Sequence, residues 1–425
     1  MKVIEIVPIA VIDVREATYN YSIWFPGAES FLCTFNIGDT GKKRDFNQLI
    51  AFAVEQAQNK TEVLNVYAQT SFPLGLLSKL LGLNIPDTIN VAVSEQSAGQ
   101  KLAVRHQDEP PFDCNATSTI AEQIVVTRSA VVTMSRVSAL RKVLEVTELA
   151  SSVSFAHEAQ EWVKQAKKDL HGGVTRFGVD GQHNPISISI EANDSRLQAI
   201  VTDRTAMLNI VQALKLEAIP YSQAKELSEF KLLEEFEVGK TDACGIALAS
   251  DKNAMLWADD LGLAAIAKEY SDIKTISSFD VIRLLRQRGI ISEAEERAGL
   301  LELVSLGYVH CPTNIELVVD VMVNGSSSDR VTSRVLDTLL YGIHTMDQSI
   351  EMVSEILYRV NCAQLTIKSN DELIRVILRK MNQRWLISWY GIKLLQRCTE
   401  KFSLLPTRLD EIKASILRFL KEVAV

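Results

Sequence analysis

The stretch Ala254–Ala267, AMLWADDLGLAAIA, decides the fold class. Its first residues are apolar and strand-like, Asp259-Asp260 follow at once, and beyond them apolar residues recur at helical spacing. A short strand that runs straight into a helix is half of a βαβ unit. Acids at the carboxyl end of such a strand face the crevice where open parallel sheets bind ligands. Working outward, residues 204–310 read as helix, short strand, helix, strand, helix, strand, helix, helix. That alternation predicts a mainly parallel sheet covered on its faces. Upstream, Ile124-Val125-Val126 reads as a buried strand, followed by a helix through about Val146. Val153-Ser154-Phe155 reads as another strand, then a long helix runs through Leu170 and stops at Gly172-Gly173. Residues 174–202 alternate in strand fashion around Asp180-Gly181, a hairpin turn signal.

Farther out the chain divides. Residues 1–107 read as an N-terminal α/β domain, with strands at Val3–Val14, Phe31–Phe35 and Thr88–Val93 and a helix at Phe46–Gln58. Residues 108–120, with Asp108-Glu109-Pro110-Pro111 and then Asn115 to Thr119, form the best linker. A central domain spans 121–315, and 316–425 reads as helical, past a break at Asn324-Gly325-Ser326-Ser327-Ser328. The expected fold class is therefore α/β: a central parallel sheet flanked by helices, with an N-terminal α/β domain and a helical C-terminal domain.

A chain of 425 residues exceeds one ordinary core, and an apolar fraction of 47% with 23% charged residues is that of a globular protein. The net charge of −8 gives no overall basic surface, so nucleic-acid contact would need a local patch. The six cysteines and six histidines are scattered without zinc spacing, and the expected state of the thiols is reduced, in a cytoplasm. No run approaches the ~18 apolar residues of a membrane span, and the N-terminus, broken by Glu5 and Asp13, carries no signal pattern. Gly38 to Lys43 has the wrong spacing for a phosphate loop. Cys244 with His157 or His171 has no spacing that supports a nucleophile pair.

Three groups carry chemistry. Asp242 stands at a helix start, where a carboxylate is favoured by the dipole, and Asp259-Asp260 stand at a strand end. Singly they read as a cap and a turn; together they read as one acidic crevice. Ser278 reads as the cap of a helix bearing Arg283, Arg286 and Arg288, which either hold an RNA phosphate or form a solvated face. Ser292 with Glu295 has capping-box spacing, as has Ser369 with Glu372. The latter precedes a long helix in which Arg375, Arg379, Lys380 and Arg384 interleave with Trp385, Trp389 and Tyr390. That helix either stacks bases or packs its aromatics inward.

The segments TDACGIALAS, AMLWADDLGLAAIAKEY and ISSFDVIRLLRQRGIIS resemble the carboxyl half of PIN domains, in the variant found in large bacterial helical-repeat proteins. The resemblance covers about 121–312 and includes a hairpin insertion near 174–202. In the opening motif, VVTRSAVV, Thr127 stands where the family has Asp and Ser129 stands at the hydroxyl position. The family's second acid falls on Glu161, with Glu158 as the alternative. The resemblance implies a Mg²⁺- or Mn²⁺-dependent ribonuclease, in which carboxylates hold a hard cation that activates water. Glu161, Asp242, Asp259 and Asp260 would hold the metal, and Ser129 would orient an acid or a water. It also implies a setting in bacterial stress or defence. Thr127 cannot supply the missing charge, and Arg128 beside it would bring positive charge to the crevice. Two readings follow: an RNA endonuclease or its degenerate descendant, and an inactive scaffold whose terminal domains bind protein subunits. An Arg128 at the centre of the acids selects the second.

Overall fold

A computed structural model describes residues 59–60, 62–67, 72–94, 102–103, 123–179, 185–219, 238–271, 273–309, 315–324, 335–336, 345–363, 367–382 and 385–423. The strands expected at Val3–Val14 and Phe31–Phe35, the helix at Phe46–Gln58 up to Gln58, the linker at 108–120 and the turn at Asp180-Gly181 lie outside them.

In chain order come α1 (Leu74–Leu81), α2 (Ile85–Ser94) and β1 (Leu102–Ala103). The strand expected at Thr88–Val93 lies inside α2. The Asn84 side chain accepts from the Asp87 amide at 2.9 Å, and Ile85, Ile89 and Ala92 all enter the core. That i, i+4, i+7 stripe, once buried, overrides the β-branched composition of the segment.

The central sheet uses β2 (Ile124–Val126), β3 (Leu149–Ser152), β6 (Lys215–Glu217), β7 (Met255–Trp257) and β8 (Thr275–Ile276). Between them run α3 (Arg128–Arg136), a 3₁₀ segment (Ser138–Glu145), α4 (Val153–Gly172), β4 (Val174–Val179), β5 (Pro185–Ile190), α5 (Ser195–Ala213), α6 (Lys240–Asp251) and α7 (Leu261–Ser271). After β8 come α8 (Ser278–Gln287), α9 (Glu293–Ser305) and β9 (Tyr308–Val309), which pairs in parallel with β1. The remaining described segments are chiefly helices: α10 (Ile315–Asn324), α11 (Met346–Cys362), α12 (Ile367–Asn382), α13 (Ile387–Lys401) and α14 (Pro406–Val423).

The five-strand order is β6-β3-β2-β7-β8, every pair parallel. The chain steps outward from β2 through β3 to β6, then crosses to the other side for β7 and β8. The direction reverses between β2 and β7, and the crevice outside their carboxyl ends is the topological switch point. Both sheet faces are covered. Ile124, Val126 and Trp257 face the larger core, which runs on into α10–α14, whereas Val125, Ala150 and Leu256 face α6 and α7. The described residues are thus mainly helical around a five-stranded parallel sheet. Among the described residues no helix is long and apolar enough to cross a membrane.

Several expectations move. The strand placed at Val153–Phe155 is Leu149–Ser152, and α4 already begins at Val153. The helix expected to run to Val146 breaks at Val137, which is extended (φ −106°, ψ 111°) and buried. Strand character after the Gly173 turn ends at Ile190, because the Asp194 side chain accepts from the Arg196 amide and starts α5. The helix preceding Trp385 starts at Ile367, so Ser369 lies within its first turn rather than before it, and α13 is a separate helix. The cap of α8 is Ser277, not Ser278: Ser277 and Asp280 make a reciprocal capping box. Ser277→Ala should therefore cost about 1 kcal/mol in urea unfolding, the usual worth of such a cap. An unchanged midpoint would return the cap to Ser278. The box expected at Ser292 and Glu295 is present.

Candidate functional site

The loops after β2 and β7 and the start of α6 meet at the switch point. Arg128, the first residue of α3, sits at their centre with its side chain only 8% exposed. Its Nε and Nη2 donate to Asp242 Oδ2 at 3.0 and 2.7 Å, Nη1 donates to Glu158 Oε1 at 3.1 Å, and Nη2 also donates to the Val238 carbonyl at 2.9 Å. Its backbone N–H points at Asp242 Oδ1 at 3.4 Å. Thr241 Oγ1 donates to the other Glu158 oxygen. Burial alone would lower the Arg128 pKa, but Asp242 and Glu158 outweigh it and raise the pKa above its ordinary value.

Gly239 makes room for this guanidinium. It has φ +90°, and a Cβ there would lie 3.0 Å from Arg128 Nη2. Both features favour glycine at the entry to α6.

Thr127 takes no part in the charge network. Its hydroxyl donates to the Trp257 carbonyl at 2.9 Å and lies 3.1 Å from Ser129 Oγ, while Ser129 Oγ accepts from the Asp259 amide at 3.1 Å. These two hydroxyls stitch the β2 end to the β7 end. Asp259, fully buried, is clamped by Ser278, whose amide donates to Oδ1 at 2.7 Å and whose hydroxyl donates to Oδ2. Ser278 was freed for this by Ser277 taking the cap. Burial raises the Asp259 pKa against the opposing hydrogen bonds of Ser278 and Thr133.

Asp260 joins two helices. Oδ1 accepts from the Leu263 amide at 3.2 Å, at the start of α7, and Oδ2 accepts from the Leu74 amide at 2.8 Å, at the start of α1. Burial pushes its pKa up to about 7 despite those donors, and Asp242 adds to the rise.

The acids named from sequence therefore do not all converge. Asp242, Asp259 and Asp260 line the switch point, each held by its own partners. Glu161 does not reach it: it faces solvent and pairs with Lys164 at 3.2 Å. Glu158, one turn earlier on α4, supplies the carboxylate instead. Arg283 stacks over Phe279 of its own helix at 5.0 Å, and Arg286 lies 3.7 Å from Glu296. They stand roughly 7 and 12 Å down α8 from Ser278, at the helical rise per residue, and Arg288 caps the far end of the helix, so none of the three starts beside Asp259. Near the other end of the chain Tyr390 is fully buried while Trp389 is half-exposed with Lys393 over its ring.

Among the described residues the donor set of a divalent cation is not assembled at the switch point. Such an ion needs carboxylate oxygens that converge on one point and remain open to it. Among the described residues no three His, Cys, Asp or Glu side chains form such a group. The point between Asp242 and Glu158 is taken by a guanidinium fixed by four hydrogen bonds.

Sequence reasoning missed the roles of Leu74, Gly75, Val238 and Gly239. The first and third act through the backbone and the glycines through a missing Cβ, so no side-chain motif announces them.

Fold and site together define an α/β protein with a five-stranded parallel sheet whose switch point holds an Arg-centred carboxylate cluster. No family model, curated protein or solved structure matches the chain.

Proposed function

We propose that this chain is a non-catalytic, PIN-like scaffold that works through protein–protein contacts in a larger assembly, with its terminal segments carrying those contacts. The observation that carries the reading is the bonding of Arg128 to Asp242, Glu158 and the Val238 carbonyl. A nuclease of the metal-dependent kind needs its carboxylates free to neutralise a hard cation. Here a permanent protein cation does that neutralising, and Thr127 bonds to backbone instead of supplying a further charge. The pairing supports a structural use of the old acidic crevice: it holds α3, α4 and α6 together at one point.

The test is calorimetric titration of the full chain with Mn²⁺, run beside an RNA cleavage screen in the same buffer. The expected outcome is no saturable heat and no cleavage above background. Binding near one ion per chain, together with cleavage lost in an Asp242→Asn, Asp259→Asn double variant, would return the reading to a Mg²⁺- or Mn²⁺-dependent RNA endonuclease.

A further inference from the structure

The switch point of an open parallel sheet is where such folds admit ligands. In this chain the place above β2 and β7 is filled from within. The N-terminus of α1 lands on Asp260 through the Leu74 amide. The next residue, Gly75, lies so close to the loop before α6 that a Cβ there would stand 2.0 Å from the Val238 carbonyl oxygen and 3.2 Å from Arg128 Nη2. Gly75 and Gly239 thus both come up against Nη2 of Arg128, where a Cβ on either would crowd it. The rest of α1 seals the contact, since Leu74, Leu77 and Leu81 are at most 1% exposed. The following helix is tied down separately: Asp87 of α2 pairs with Arg204 of α5, whose side chain is 2% exposed.

We propose that α1 is an intramolecular plug, which occupies the ligand crevice of the sheet in the native state and denies it to any other molecule. The inference deepens the scaffold reading and rests on it: the crevice has an occupant, and that occupant is residues 74–81 of the same chain. A lid behaves differently. It would rest on the rim with a wetted underside, whereas the contact face of α1 belongs to the main core. Local elements that open easily are those with few buried apolar contacts, and α1 is the opposite case.

Peptide-resolved hydrogen exchange on the full chain tests this. In the wild type, residues 74–81 should exchange as slowly as β2 and β7, within about tenfold, as parts of one cooperative unit do. Gly75→Ala should speed exchange across 74–81 by about a hundredfold or more, and should also expose 127–129 and 258–260, because a buried contact that cannot relax opens as a local unit. The wild-type measurement stands even where the variant does not fold. Near-unprotected exchange of 74–81 beside a protected sheet would overturn the plug and make α1 a lid. An unchanged 74–81 in a folded Gly75→Ala protein would overturn it as well. Neither readout involves Mn²⁺ or RNA, so failure of the plug is distinguishable from failure of the scaffold reading.

Discussion

Arg128→Ala should lower stability by roughly 3–5 kcal/mol, the cost of breaking a buried ion pair from one side. The reason lies in what remains behind. Asp242 is 4% exposed and would be left buried with no counter-cation, and Glu158 would lose the same partner. The Val238 carbonyl would lose a donor as well, which adds about 1–3 kcal/mol where water cannot replace it. A comparison built into the same protein gives the scale. Glu161 and Lys164 form an exposed pair on α4, and Lys164→Ala should shift unfolding by well under 1 kcal/mol, as surface pairs do. Urea unfolding of the two variants decides the matter. If Arg128→Ala behaved like Lys164→Ala, the Arg128 network would not be the keystone of the switch point, and the argument against a metal there would lose its support. Adding Asp242→Asn and Glu158→Gln to Arg128→Ala should restore part of the loss, since the uncompensated charges are then gone.

The strand–helix alternation from 204 to 310 was legible because each element there carries its own period and its own stop signal. β6, α6, β7, α7, β8, α8 and α9 fall in the order read from sequence. The parallel sheet and the placing of Asp259 and Asp260 at the carboxyl end of β7 follow from the same reading. Where burial and not local pattern decides the outcome, the reading slipped. Thr88–Val93 is β-branched, but the stripe Ile85, Ile89, Ala92 is what the core accepts, and the segment is helical. Glu161 and Glu158 are both acidic and three residues apart on one helix. The Thr241 hydroxyl and the reach of Arg128 select Glu158, and neither is written in the sequence around the two glutamates. Ser277 and Ser278 are adjacent serines with equal capping propensity; the reciprocal partner Asp280, three residues after Ser277, distinguishes them. The plug was the least legible of all. Its decisive features are an amide hydrogen at Leu74, 186 residues from the Asp260 it meets, and the absence of a Cβ at Gly75 beside the Val238 carbonyl.

The unusual protonation of Asp260 gives the site a signature in pH. Its ordinary carboxyl value is 3.8, and in the folded protein burial lifts it to about 7. A raised acid pKa means that between those values the folded state holds a proton that the unfolded state has released. Stability from this group is therefore fully present below about pH 4 and is lost as pH rises through about 7. The two values stand about three apart, and at about 1.4 kcal/mol each the swing is roughly 4 kcal/mol. Carboxylates such as Asp194, held at about 2 by its hydrogen bond from Arg196, contribute with the opposite sign. The wild-type curve alone would blur the two. The difference between wild type and Asp260→Asn isolates the term, because every other group, including Asp259, whose pKa burial also raises, is common to both. Asparagine keeps one carbonyl acceptor for Leu74 or Leu263 and cannot ionise, so the variant should be less stable than wild type near pH 4.5. Its deficit should shrink by several kcal/mol by pH 8, or reverse. Urea unfolding of both proteins at half-unit steps across that range measures it. A deficit constant to within about 1 kcal/mol would mean that Asp260 is ionised throughout, its charge held by the amides of Leu74 and Leu263 more firmly than burial opposes it. The α1 contact would then be a charged cap, stable across the physiological range.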